Sequence, residues 1–394
     1  MLTAVATDFG RELERTEKDI TDLRTSLSAI PQDVEKGTRL AYRLYHRACL
    51  TGILSDFGAA AAAVDDVAKR AGHQEDLCLL KANLYFKFHR LPDVKLALHQ
   101  APALLRRPEG KVLQADIDFQ EGRYQEARAA YEQAIDEDRT WDNLARLAHF
   151  QFKMGQVAEA DDLYVQAEDE LTAKEMRSYA WVELQRGLLQ LSRGRYEDAL
   201  AHYRRAESGY SGYWLIDEHV AELLGAQGKY AEAAALYEHV VARVPKPELQ
   251  QALGELYQLM EEPDKADKWH SQALETYLRS VDEGGVHYWH HLVDFFADVR
   301  EDGAAAVAWA RKDLTLRDNF ATQAALAWAL WRHDQFTEAA AFMDRSLASG
   351  VVDARLFQSA GTIYLSAGQV DKGERLLRQA REINPHLDRF HVHR

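Results

Sequence analysis

Residues 111–136, KVLQADIDFQEGRYQEARAAYEQAID, contain two predicted helices on either side of Gly122. In the second helix, Tyr124, Ala127 and Tyr131 recur at intervals of three and four residues, which places them on one helical face. A small residue at a helix crossing lets two backbones approach closely, and an aromatic ring fills the space beside it. The stretch therefore predicts two short helices packed together across a glycine turn.

The same pattern recurs along most of the chain. The residues equivalent to Ala127 follow one another at spacings of 33 or 34, apart from two spacings of 39 and 40: Ala60, Val94, Ala160, Ala199, Ala233, Ala266, Ala306, Ala339 and Gly373. A second small residue precedes each of them by twelve positions, and only Asp294 breaks that series. Self-similarity at this period predicts a solenoid of stacked helix-turn-helix units.

With its small residue in the first helix, glycine at the turn and an aromatic between two small residues in the second helix, the chain resembles the tetratricopeptide repeat family. The resemblance covers residues 41–385, about ten units, and it is weakest in the eighth, where Asp294 and Asp313 stand at small-residue positions. It implies an all-α, right-handed α-solenoid. It also implies that the first helices line a concave groove in which a protein or peptide binds.

The flanking segments and the two long spacings complete the predicted organisation. Residues 1–40 hold a predicted amphipathic helix that ends before Pro31 and serves either as a cap on the first repeat or as a short coiled coil. Residues 386–394 form a histidine-containing tail. The first long spacing predicts a helical extension across residues 168–184, and the second predicts a turn at Gly284 and Gly285. Such insertions either mark a binding face or lengthen a loop.

Composition narrows the class of ligand. The chain has 63 acidic against 48 Lys and Arg residues, a net charge of −15, and no basic run, so we expect no nucleic-acid partner. The N-terminus does not resemble a secretion signal and no stretch is apolar enough to span a membrane, which predicts a cytoplasmic protein. Because phosphate-binding loops and nucleophile elbows are absent from the sequence, we expect neither enzymatic activity nor a cofactor.

The candidate groove residues lie on first helices, on the side away from the small residues. They are Tyr42, Tyr45, Phe86, Lys87, Phe119, Phe152, Lys153 and Leu191. The aromatics offer contact area for a peptide and the lysines offer charge for a carboxylate, although core packing between repeats explains the same aromatics. In later repeats Glu218 and Glu222, with Glu248 and Glu255, make the equivalent surface acidic. This acidic surface has two interpretations. It binds a partner segment of basic or mixed charge, or it is simply a helix face exposed to water.

The preferred hypothesis is a protein-interaction scaffold. A peptide- or metabolite-sensing regulator is the alternative, and a metal-handling protein comes third. The third rests on His287 and His291, which would share a face at four-residue spacing on a helix, and on the tail residues His386, His391 and His393.

Overall fold

The computed structural model describes residues 7–72, 74–387 and 390, which form 21 α-helices and no β-strand. Helix α1 (Asp8–Ala29) comes first, and the other twenty pair into ten consecutive repeats of an A helix and a B helix. The A helices are α2 (Val34–Thr51), α4 (Glu75–Lys87), α6 (Pro108–Gln120), α8 (Trp141–Lys153), α10 (Met176–Leu191), α12 (Trp214–Ala226), α14 (Pro247–Leu259), α16 (Trp289–Asp294), α18 (Phe320–Arg332) and α20 (Ala354–Ser366). The B helices are α3 (Leu54–Ala71), α5 (Leu91–Gln100), α7 (Tyr124–Glu137), α9 (Val157–Asp169), α11 (Tyr196–Gly209), α13 (Tyr230–Arg243), α15 (Pro263–Asp282), α17 (Gly303–Leu314), α19 (Phe336–Leu347) and α21 (Val370–Ile383).

The small residues of the repeat lie where the A and B helices cross. Ala115 and Ala127 are completely buried in the third repeat, and Tyr131 packs beside them with 4% of its surface exposed. In the fifth repeat the A-helix position is Gly187, because a Cβ atom there would overlap the ring of Tyr203. The predicted all-α solenoid of ten repeats is therefore confirmed.

Helix α1 lies against the first repeat. Its N-terminus is capped by Thr7, whose hydroxyl accepts a hydrogen bond from the Gly10 amide at 3.1 Å. Ile20 is 1% exposed within the core of the first repeats. Phe9, at the start of the helix, stacks on Tyr213 with ring centroids 5.8 Å apart.

The two segments that produce the long spacings differ in structure. Helix α15 is 20 residues long and is followed by a turn at Gly284, which has a φ of 83°, so the predicted turn is confirmed. The predicted continuous extension over residues 168–184 is wrong, because α9 ends at Asp169 and α10 begins at Met176. Between them Thr172 donates a hydrogen bond to the Glu175 carboxylate at 2.8 Å, which stabilises a turn instead of a helix.

The eighth repeat is irregular, as its sequence indicates. Its A helix, α16, has six residues and continues into a π-helical turn, Phe295–Val299. Asp313, at a small-residue position in α17, is 2% exposed and accepts two hydrogen bonds from Arg317, at 2.8 and 2.9 Å. An ion pair thus fills a place that a small side chain occupies in the other repeats.

The repeats coil into a superhelix whose successive turns touch. His287 Nδ1 donates a hydrogen bond to the Lys87 carbonyl at 3.0 Å, which joins the eighth repeat to the second. The third and ninth repeats meet where Asn319 Nδ2 donates to the Gln120 carbonyl at 3.2 Å. Both contacts join a repeat to the sixth repeat after it, so one superhelical turn contains about six repeats.

Two further contacts extend this line to the fourth and fifth repeats. The Val352 amide donates to the Met154 carbonyl at 3.2 Å, and Asn384 Nδ2 donates to the Ser192 carbonyl at 3.1 Å. We call this line of contacts the seam. The seam joins the A–B turns of repeats 1–5 to three kinds of segment: the start of a later A helix, the segment before a later A helix, and the segment after α21. None of the described helices has the length and apolarity needed to cross a bilayer.

Candidate functional site

The inner surface of the superhelix carries a basic region in repeats 2–4. Lys87 and Lys153 are exposed to water, and His149 lies near both of them. Burial of the ring, with the charges of Lys153, Lys87 and Arg146, lowers the pKa of His149 to about 3. Two lysines on different A helices therefore act on one imidazole, which indicates that the three side chains face a common space.

Lys153 stands where the fourth repeat meets the tenth, because the adjoining Met154 carbonyl accepts a hydrogen bond from the Val352 amide at 3.2 Å. Its side chain is exposed, yet the surrounding protein lowers the pKa of its ammonium group, while the charge of Asp353 in the tenth repeat opposes that effect. Lys153 is therefore close to residues of both superhelical turns.

An acidic cavity of about 220 Å³ lies in repeats 6–8, beside the seam. Its walls are apolar at Trp214, Leu215, Leu249 and Ala252 and charged at Glu218, Lys246, Glu248, Glu255, His291 and Asp294. Burial opposes ionisation of Glu248, but the charges of Lys246 and His291 lower its pKa below the usual value. Because four carboxylates face one lysine and one histidine, the cavity suits a cationic group.

Beneath this cavity, α12 buries three adjoining polar side chains. Glu218 and Glu222 are each 1% exposed and His219 is 3% exposed. His219 Nδ1 lies 3.1 Å from Glu218 Oε2 and 3.9 Å from Glu222 Oε2. The ring of His219 stacks on Tyr203 of α11, with centroids 5.8 Å apart. The residues at positions i, i+1 and i+4 of one helix therefore converge on a single point.

One family model matches part of this helical array. Residues 109–211 match a family model described as the TT21 fifth ARM repeats domain. This match to a helical-repeat model falls on helix pairs whose crossings hold the repeated small residues. The chain is a TPR/ARM-like repeat protein. No curated protein matches it.

Three solved structures are similar to this repeat protein. The structure titled human IFIT1 dimer with PPP-AAAA is 14% identical, with 95% of this chain and 88% of that chain covered and a TM-score of 0.47. A tetratricopeptide repeat protein from Parabacteroides merdae is 18% identical, with 62% and 93% covered and a TM-score of 0.38. MamA is 18% identical, with 43% and 96% covered and a TM-score of 0.34.

Several predicted groove residues of the repeat protein do lie at accessible positions. Tyr42 is 42% exposed, and its hydroxyl donates to the Asp76 carbonyl at 3.3 Å. Phe86 and Phe152 are half-buried, and the Lys153 ammonium lies 5.6 Å from the centre of the Phe152 ring. Tyr45 is half-buried against the core of the first repeats, where it packs edge-on to Phe57 with centroids 6.2 Å apart.

Four of the predicted groove residues lie in the core or in the seam. Leu191 is 2% exposed and belongs to the core of repeats 5–7. Glu218 and Glu222 are buried, so neither a solvated face nor a direct groove contact describes them. Phe119 packs on Phe320 across the seam, with centroids 6.4 Å apart. These positions differ from prediction because the next superhelical turn, or the next repeat, covers a surface that one repeat alone would expose.

The predicted histidine pair does not form. His287 precedes α16 and contacts His89, with ring centroids 4.8 Å apart, whereas His291 stacks on Tyr277 at 5.6 Å. The predicted shared helical face is wrong because the helix begins only at Trp289. Of the tail histidines, His386 stacks on Tyr196 at 5.2 Å, and His391 and His393 lie outside the described residues.

His219 and Tyr203 are site residues that the sequence analysis missed. The sequence DEHVAE at positions 217–222 does hold a signal, since a histidine stands beside one glutamate and three residues before another. Tyr203 follows Ala199 by four residues, as Tyr131 follows Ala127, so the repeat pattern places it beside a helix crossing and gives no role to its hydroxyl. Only the packing of α11 on α12 brings the tyrosine to the histidine ring.

Proposed function

We propose that this protein is a binding scaffold that holds an extended, mixed-charge peptide segment along the inner surface of its superhelix. The observation that carries the proposal is the separation of charge along that surface. Lys87 and Lys153 stand in repeats 2 and 4, whereas Glu248 and Glu255 stand in repeat 7 and Asp294 stands in repeat 8. The proposed activity is binding and not catalysis.

The seam supports this proposal in energetic terms. An open solenoid flexes along its length, because each repeat contacts only its neighbours. Here hydrogen bonds such as those from Asn319 to Gln120 and from Asn384 to Ser192 join one superhelical turn to the next. A surface held in one shape before binding loses less conformational freedom on association, which favours affinity for a short segment.

The half-buried aromatics of the basic region supply the apolar part of the contact. Phe86 and Phe152 lie next to Lys87 and Lys153, each on the same helix as its neighbouring lysine. Aromatic anchors beside a charge are typical of surfaces that bind peptides tightly. We therefore expect an acidic stretch with an apolar side chain to bind repeats 2–4 and a basic stretch to bind repeats 6–8.

Fluorescence polarisation with labelled synthetic peptides tests the proposal. The probes are an extended peptide with an acidic-apolar half and a basic half, two peptides that are all acidic or all basic, and an uncharged peptide. We expect the mixed peptide to bind tightest and to weaken as salt rises, because charges drive the selection. Lys153→Glu should weaken its binding by about tenfold, which corresponds to roughly 1.4 kcal/mol.

Lys268→Glu is the matched control, because Lys268 is an exposed lysine on the B helix α15. Equal effects of the two lysine substitutions, or equal binding of charged and uncharged peptides, would contradict the proposal. A single-stranded RNA oligonucleotide is included as a further probe. The exclusion of nucleic acid stays a prediction, and tighter binding of the RNA than of any peptide would overturn both that prediction and the proposed peptide-binding function.

A further inference from the structure

Glu218, His219 and Glu222 offer ligand atoms that lie close enough to share one metal ion. One atom from each side chain lies within 4.8 Å of the others, and all three residues are buried. In residues 7–72, 74–387 and 390, this is the one group of three or more His, Cys, Asp or Glu side chains with such an arrangement. Imidazole nitrogen and carboxylate oxygen are ligands that zinc and related divalent ions accept.

The distances within the group suit a small coordination sphere. With bonds of about 2.0–2.1 Å, neighbouring ligand atoms of a tetrahedral zinc site lie roughly 3.3–3.4 Å apart. The distances from His219 Nδ1 to the glutamate oxygens, 3.1 and 3.9 Å, lie on either side of that value. Side-chain adjustments within the 4.8 Å spread of the three ligand atoms would bring them onto one ion, with a water molecule as the fourth ligand.

Two tyrosine hydroxyls provide an independent indication of a ligand. Tyr203 and Tyr237 are completely buried, and neither hydroxyl has a hydrogen-bond partner within the part of the chain that the structure describes. Burial and the charges of Glu218 and Glu222 raise the pKa of both hydroxyls, so both lie near the two carboxylates. Buried polar groups without partners are rare in native proteins, and a bound ion with its water is one way to satisfy them.

The neighbouring cavity provides a route for the ion. Glu218 lines both the buried group and the acidic cavity of about 220 Å³, which also contains Glu255. The carboxylates of the cavity attract a cation, and Glu218 connects the cavity with the buried group. An entry path of this kind is one requirement of a plausible metal site.

From these observations we propose that Glu218, His219 and Glu222 bind one divalent transition-metal ion of the zinc type inside the sixth repeat. His219 ligates through Nδ1, and the two glutamates ligate through one carboxylate oxygen each. The metal replaces any proton on Nδ1, because only neutral imidazole can donate its lone pair. The ion joins α12 to the hydroxyls of Tyr203 and Tyr237 and stabilises the repeat that carries the acidic cavity.

Calorimetric titration of the chelator-treated, full-length protein with zinc chloride tests the site. We expect one equivalent to bind. Glu222→Gln keeps the side-chain shape but removes an anionic ligand, so zinc affinity should fall by about 100-fold or more. Glu255→Gln is the matched control, since it removes one carboxylate from the same cavity without touching the three ligands, and its zinc affinity should stay within a few-fold of the parent value.

Cobalt substitution gives a second readout that needs no variant. Co²⁺ bound by nitrogen and oxygen ligands should produce visible absorption bands that saturate at one equivalent, without the near-ultraviolet band of cobalt–thiolate bonds. A thiolate band would assign the metal to Cys49 or Cys78 and overturn the proposal. Absence of saturable binding, or a zinc affinity unaltered by Glu222→Gln, would overturn the proposal. Peptide binding measured with and without chelator separates this result from the proposed function.

Discussion

The indole Nε1 of Trp214 donates a hydrogen bond of 2.9 Å to the backbone carbonyl of Leu50, 164 residues earlier in the chain. Trp214 is 4% exposed, and Leu50 is completely buried. Gly52 allows this approach, because a Cβ atom at that position would lie 2.9 Å from the indole ring. The contact joins the end of the first A helix to the start of the sixth, five repeats later, and closes one end of the seam.

Trp214→Phe should destabilise the protein by about 1–3 kcal/mol. Phenylalanine fills most of the indole site but leaves the Leu50 carbonyl buried without its donor. Trp331→Phe is the control, because Trp331 Nε1 donates to Ser366 at 2.8 Å in an exposed position where water replaces the bond. Guanidinium unfolding measures both free energies. Equal losses in the two variants would show that the seam bond adds no stability.

Gly155→Ala and Gly228→Ala should separate backbone strain from seam packing. Both glycines have positive φ, 84° and 78°, so alanine costs roughly 1 kcal/mol of strain at either position. At Gly155 the new Cβ would overlap the Val352 carbonyl, whereas at Gly228 nothing lies within 4 Å. We expect Gly155→Ala to cost an additional ~1–3 kcal/mol in urea unfolding. Similar unfolding free energies would mean that the turns can separate at little cost.

Phe119→Ala should lower stability more than Phe152→Ala. Phe119 packs on Phe150 and Phe320, with centroids 5.6 and 6.4 Å away, so its truncation leaves a gap inside the seam. Its partial exposure reduces the loss to about 2–3 kcal/mol, below that of a fully buried phenylalanine. Phe152 stands beside Lys153 in the basic region, and its truncation should mainly weaken peptide binding. Thermal unfolding together with peptide polarisation checks both effects, and the reverse order would contradict these assignments.

The repeat fold could be predicted because its determinants are local. A helix crossing needs a small residue and a neighbouring aromatic at fixed spacing, so Ala127 and Tyr131 specify their own packing partners within one repeat. The same reasoning locates the turn at Gly284 and the irregular eighth repeat around Asp313. These features depend on residues fewer than 40 positions apart.

The candidate site could be predicted only in part, because the pitch of the superhelix depends on small rotations summed over six repeats. No local pattern indicates that Phe320 will lie on Phe119, or that Gly155 will meet Val352. Lys87 and Lys153 keep their predicted exposure since they project into the interior space and not into the seam. For the same reason the sequence could not assign the histidines, which meet across the seam.

The histidine contacts across the seam should make stability depend on pH. Burial is the main cause that lowers the pKa of His287 to about 4, and it also lowers the pKa of His89 and His290. The positive charges of Arg317 and Lys87 act in the same direction on His89. Unfolded histidine has a pKa near 6.5, so between about pH 6.5 and pH 4 the unfolded chain binds more protons than the native protein. Stability must therefore fall as the pH decreases through this window.

His287→Gln tests this argument, because glutamine can still donate to the Lys87 carbonyl but does not titrate. The acidic group Glu248 and the cations Lys246 and His291 also act on His287, with Glu248 raising its pKa and the other two lowering it. Since His287 is only half-buried, its share of the stability lost between pH 7 and pH 5 should be at most about 2 kcal/mol.

Urea unfolding, with chelator present, measures the free energy of unfolding of both proteins at pH 7 and pH 5. The variant should lose less stability than the parent between these pH values. Near pH 7.5 the free energies of unfolding of the two proteins should be almost equal. An identical pH dependence would place the titrating groups elsewhere, with His149 and His270 as the next histidines to substitute, because burial lowers their pKa to about 3 and about 4.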